Sequence, residues 1–192
     1  QSLATSSRRR VPVLSLAEYT SGTFTEKHRF VDDLFVGLKD YGFIILKDHP
    51  VEVSLLTQAY TALEKFFALP TDTKKKYMIP QGGGQRGYTP FGKEHAKNNP
   101  VMDLKEFWHV GRDLPEGHRY QSIYPPNVWP KEVIEFQSVF QKMYKALDET
   151  GKIMLEALTS PLKVPHDYFS KMMSEGNSIL RLLHYPPIPD GV

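Results

Sequence analysis

Two prolines bracket the longest periodic segment of the chain. Between Pro130 and Pro161 the apolar residues Val133, Phe136, Phe140, Met143, Leu147, Met154 and Leu158 recur at three-and-four spacing, with Gly151 at the missing beat. That spacing is one face of a helix. Proline suits the first turn of a helix and breaks its interior, so a long helix is predicted from Pro130 to just before Pro161. A helix striped on one face has to bury that stripe against other elements.

The other elements are shorter and of both kinds. Helices are predicted from Thr25, as cap, to Tyr41 and from Ser54 to Phe67. Shorter ones follow from Thr71 or Asp72 through Lys74-Lys75-Lys76 and from Asp167 to Met173. Gly42 stands where a helix stop belongs. The stripe of the second helix is Leu56, Tyr60, Leu63 and Phe67, widened by Leu55, Ala59 and Phe66. Val11 to Leu16 reads as a strand that Pro12 confines to an edge. Phe43-Ile44-Ile45-Leu46 is a continuous apolar run and reads as a buried strand. Glu106 to Val110 alternates, with Phe107 and His109 on one face and Glu106 and Trp108 on the other. Ser178 to Tyr185 reads as a last strand, ended by Pro186-Pro187. The fold class is α+β. The chain divides into a basic tail over 1–10, a region of helices and edge strands over 11–176, and a strand segment over 177–192. The three lysines near a helix end have a plain explanation in the helix dipole, with a ligand patch as the alternative.

Composition narrows the chemistry. The 192 residues contain no cysteine, which removes disulfides, thiolate metal sites and a cysteine nucleophile. That absence is compatible with a reducing cytoplasm, where the protein is expected. The net charge of +2 does not suit a nucleic-acid backbone, and no apolar run is long enough for a membrane helix. Gly82-Gly83-Gly84 lacks the Lys-Ser/Thr of a phosphate loop. None of the seven histidines stands in a His-x-Asp, His-x-Glu or His-x-x-x-His pattern. No metal ligand or catalytic residue is therefore assigned from spacing.

Two patches carry more. The aperiodic stretch from Arg86 to Lys97 holds an aromatic residue, several charges and two glycines. It reads as a loop over a pocket with Gly87 and Gly92 as joints, or as an ordinary surface loop. Arg181 and Tyr185 are four apart on a strand and so share a face. A guanidinium fork and a directed phenol together suit a small carboxylate. The plainer alternative is a core tyrosine beside a surface-paired arginine.

The order of short motifs resembles the N-terminal part of the isopenicillin-N-synthase-like branch of the iron(II), 2-oxoglutarate-dependent oxygenases. The residues that carry the resemblance begin with Val11-Pro12-Val13-Leu14-Ser15-Leu16 and Tyr41-Gly42-Phe43-Ile44-Ile45-Leu46-Lys47-Asp48-His49. Phe66-Phe67-Ala68-Leu69-Pro70 before the lysines and Arg86-Gly87-Tyr88 follow. Asp103-Leu104-Lys105-Glu106-Phe107, Trp129-Pro130 and Leu180-Arg181-Leu182-Leu183-His184-Tyr185-Pro186-Pro187 complete the series. The resemblance implies helices and edge strands packed around a double-stranded β-helix (jelly-roll) core, incomplete here, with residues 177–192 as its opening strand. It implies an enzyme that uses Fe(II), O₂ and 2-oxoglutarate to oxidise a small organic molecule. Tyr185 and Arg181 would bind the co-substrate or a substrate anion, while Tyr88 and Glu94 would border the substrate. Leu183 stands where plant members tend to have asparagine, which favours a bacterial-type member. The iron motif of the family is expected after Tyr-Pro-Pro, so the chain is expected to be an N-terminal fragment. A non-catalytic helical interaction or scaffolding module is the alternative.

Overall fold

The computed structural model describes residues 10–79, 84–93 and 104–187. It combines helices and strands as an α+β chain. Glu94, expected at a substrate rim, lies outside the described residues. Two compact units are interleaved along the sequence: Gln1–Pro50 with Glu149–Ser174, and Val51–Asp148 with Glu175–Val192. No helix among the described residues is long and apolar enough to cross a membrane.

In the first unit, strand β1 (Val13–Ser15) is followed at once by helix α1 (Leu16–Thr20), where a strand to Leu16 was expected. Helix α2 (Phe24–Tyr41) is capped by Thr23 rather than Thr25. The Thr23 hydroxyl accepts the Glu26 N–H at 3.3 Å and the Glu26 carboxylate accepts the Thr23 N–H at 2.7 Å. These reciprocal bonds satisfy two donors that would otherwise be orphaned. Gly42 closes α2 at φ +80°, a left-handed conformation that favours glycine. Strand β2 (Ile45–Lys47) runs parallel to β1 with Leu14 opposite Leu46. Leu14, Leu16, Phe30, Leu34 and Ala157 form the core, and Ile44 and Leu46 pack against it. Phe43 and Ile45 instead stay 58% and 49% exposed. The strand was expected to be buried throughout. Alternation turns every second side chain away from the core, and no described element covers that other face.

In the second unit, helix α3 (Val53–Phe67) and helix α4 (Thr71–Lys75) precede strands β3 (Gly87–Thr89) and β4 (Glu106–Gly111). The buried face of α3 keeps Ala59, Phe66 and Phe67 of the predicted stripe but turns away from Leu56 and Tyr60. Ala59, Ala62 and Phe66 are inside, while Leu56 and Tyr60 are 43% and 62% exposed. Ala62, which that stripe omits, is fully buried because its small side chain allows close packing. Helix α5 (Phe136–Ala157) starts after Pro130, because residues 131–135 form turns. The Tyr77 hydroxyl holds that turn, accepting the Lys131 N–H at 2.9 Å and donating to Glu132 at 2.6 Å. Val133 is buried nonetheless. Helix α6 (Tyr168–Met173), in the first unit, falls where predicted, and strand β5 (Ile179–His184) ends one residue before Tyr185.

The three strands form an antiparallel sheet in the order β3-β4-β5. Trp108, at the centre of β4, is fully buried. Its ring meets Phe66 at 4.9 Å and Phe136 at 5.2 Å between centroids, both edge-on. Such aromatic pairs add roughly 0.5–1.5 kcal/mol beyond their area. The loop predicted from Arg86 is a strand at its start. Gly87, at φ +71°, is no joint: a Cβ there would stand 2.4 Å from the Tyr77 carbonyl oxygen.

Candidate functional site

The central strand presents different chemistry on its two faces. On the core face, Glu106 accepts from three elements at once. Lys74 of α4 donates to its two oxygens at 2.9 and 2.8 Å, and the Tyr88 hydroxyl of β3 donates at 2.5 Å. His184 of β5 places Nδ1 2.8 Å from Oε1. Register sets the last contact, because Glu106 and His184 are paired across β4 and β5. Lys74 completes its three donors on the Phe67 carbonyl at 3.0 Å. Lys74 and Glu106 are 5% and 1% exposed, so the pair persists only because each group is almost fully hydrogen-bonded. Burial, then the bond to the Glu106 carboxylate, then its charge push the Tyr88 phenol far above its ordinary value. The dipole reading of the lysine run therefore fails for Lys74, whose ammonium is in the core. A sequence signal for the cluster existed. A glutamate sharing a strand face with tryptophan needs a cation when that face is buried.

The opposite face carries Phe107, His109 and Arg181. The Arg181 guanidinium lies 4.1 Å from the Phe107 ring centroid, in cation–π range. His109, across from Arg181 in the register, donates from Nδ1 to the Gly84 carbonyl at 2.5 Å. A cleft of about 390 Å³ opens here, lined among others by Met78, Tyr88, Thr89, Lys93, Phe107 and His109. Tyr88 thus belongs to the cleft wall, yet it is only 3% exposed and its hydroxyl is committed to Glu106. Tyr185 is 61% exposed just past the end of β5. The structure therefore leaves Tyr185 in solvent and Arg181 over an aromatic ring.

Arg86 is a further charged group that sequence reasoning named without placing. It is 1% exposed and donates to the Gln85 carbonyl at 2.8 Å and to Asn177 Oδ1 at 3.2 Å, while Nε has no hydrogen-bond partner among the described residues. Burial lowers its affinity for the proton. Gly111 makes the room, since a Cβ there would meet the guanidinium carbon at 1.7 Å. Among the described residues no group of three or more His, Asp or Glu comes together to hold a metal ion.

Comparison with known proteins gives a consistent picture. Residues 11–132 match the family described as the N-terminal region of non-haem dioxygenases in morphine synthesis. A 2-oxoglutarate-dependent dioxygenase of Didymella fabae is 31% identical over 97% of this chain and 59% of its own length. The 2-oxoglutarate-dependent dioxygenase caaD of Aspergillus niger is 28% identical over 92% of this chain and 55% of its own. Among solved structures, a 2OG-Fe(II) oxygenase family protein from Caulobacter crescentus is 42% identical. It superposes with a TM-score of 0.82 over 94% of this chain and 57% of that one. A full-length Neurospora crassa protein, solved in complex with alpha-KG, is 27% identical at a TM-score of 0.74, over 92% of this chain and 51% of that one. The chain spans about half the length of the curated relatives it matches, from 50% to 59%.

Proposed function

Because the chain belongs to the non-haem dioxygenase N-terminal family, we propose that it is the N-terminal part of an iron(II), 2-oxoglutarate-dependent oxygenase. The whole protein oxidises a small organic molecule with O₂. The observation that carries this reading is the family match over residues 11–132, supported by the 42% identical oxygenase structure. Residues 11–176 supply helices and edge strands around a double-stranded β-helix, and 177–192 supply the opening strand of that core. The described residues bring together no ligand set for iron. They do not fit the metal, and we assign its ligands to a part of the protein beyond this stretch.

What this stretch contributes is recognition. Arg181 and Tyr185 bind a carboxylate of the co-substrate or an anionic substrate, by a two-pronged guanidinium and a single directed phenol. The exposed phenol and the guanidinium on the Phe107 face support that assignment. Tyr88 shapes the cleft wall, since its hydroxyl is already used. The partners are small molecules, not nucleic acid or membrane, and the cysteine-free composition supports a cytoplasmic place. In the full-length protein, Tyr185→Phe and Arg181→Leu are expected to raise the 2-oxoglutarate concentration needed for half-maximal O₂ uptake. An unchanged requirement in both variants contradicts these roles.

A further inference from the structure

Glu106 has a consequence beyond the core. We infer that Glu106 and His184 form a clamp that fixes the backbone direction of Tyr185, making both of them positioning residues. The inference rests on the proposed role of Tyr185 for its functional meaning, but not for its geometry. His184 is the last residue of β5, held at Nδ1 by Glu106 at 2.8 Å. Its ring also stacks on Phe67, with centroids 4.9 Å apart and planes at 23°. Glu106 cannot drift, because Lys74 and Tyr88 hold the same carboxylate. On the other side of Tyr185, Pro186 restricts the residue before it to extended conformations. Tyr185 thus sits between a pinned imidazole and a stiff proline. Successive side chains of an extended segment point to opposite faces, so an inward His184 aims Tyr185 outward, consistent with its 61% exposure.

The carboxylate accepts, so His184 Nδ1 carries the hydrogen of that bond.

The test uses the full-length protein in five forms: wild type, Glu106→Gln, His184→Phe, Tyr185→Phe and His184→Phe/Tyr185→Phe. His184→Phe keeps the ring stack and leaves the Lys74–Glu106 pair intact, so it stays informative if Glu106→Gln fails to fold. The Tyr185 backbone order parameter is expected near 0.85 in wild type and below about 0.6 in His184→Phe. Nitrogen NMR of His184 should show the Nδ1–H form in wild type. With turnover as readout, His184→Phe should raise the 2-oxoglutarate KM about five-fold or more with kcat within about two-fold. Tyr185→Phe should add little to it, because both act through one group. An order parameter unchanged in His184→Phe overturns the clamp. A lowered order parameter, with a KM that Tyr185→Phe does not move, leaves the clamp standing and removes the co-substrate role of Tyr185.

Discussion

Strands β2 and β4 are both short and mostly apolar, yet they are treated in opposite ways. β2 has one hydrogen-bonded neighbour among the described residues, and Phe43 and Ile45 beside and within it are half exposed. β4 lies between two strands, and Glu106, Phe107, Trp108 and Val110 are all at most 2% exposed. The difference lies in what covers the second face, not in the apolar content of the strand. It also decides where a charge is tolerated. A glutamate can be buried in β4 because α4, β3 and β5 all bring donors to it.

The comparison breaks most sharply at Lys74. Lys74→Met leaves the buried Glu106 charge without its cation, and a loss of about 3–5 kcal/mol is expected in denaturant unfolding. The double variant Lys74→Met/Glu106→Leu should lose less than Lys74→Met alone, because no unpaired charge remains. A loss below about 1 kcal/mol for Lys74→Met would mean the pair is not buried in solution. Phe66→Ala, beside Trp108, should cost about 3–5 kcal/mol, whereas Phe43→Ala next to β2 should stay within about 0.5 kcal/mol as an exposed substitution. Equal effects would erase the contrast between the sheets.

Finer tests sharpen it. Gly111→Ala forces Arg86 to move and should cost about 1–3 kcal/mol. That cost should shrink when Arg86→Leu is added. The phenol of Tyr88 is raised in the folded state above the roughly pH 10 of a free tyrosine. Its contribution is therefore complete below about pH 10 and is lost as pH climbs toward the folded value. Stability measured from pH 9 upward should fall less steeply in Tyr88→Phe than in wild type.

Much of the fold was legible because local rules acted alone. The stop of α2 at Gly42, the faces of β4 and the end of β5 before Pro186 all follow from turn chemistry and period-two alternation. What was missed depended on neighbours. Thr23 outcompeted Thr25 as cap because only Thr23 has a glutamate three residues on. Helix α5 starts late because Tyr77, distant in sequence, ties up Lys131 and Glu132. Spacing put Arg181 and Tyr185 on one strand face, and the structure lays Arg181 over the Phe107 ring and leaves Tyr185 exposed. For the Lys74–Glu106–His184 cluster, spacing showed only that Glu106 shares a face with Trp108; which groups meet it depends on register and packing of three elements. Glu94 lies outside the described residues.

The most direct measurement is O₂ and 2-oxoglutarate consumption by the purified full-length protein supplied with Fe(II). The account predicts that both are consumed together and only when Fe(II) is present. Full occupancy by Fe(II) and 2-oxoglutarate with no consumption of either co-substrate would contradict it.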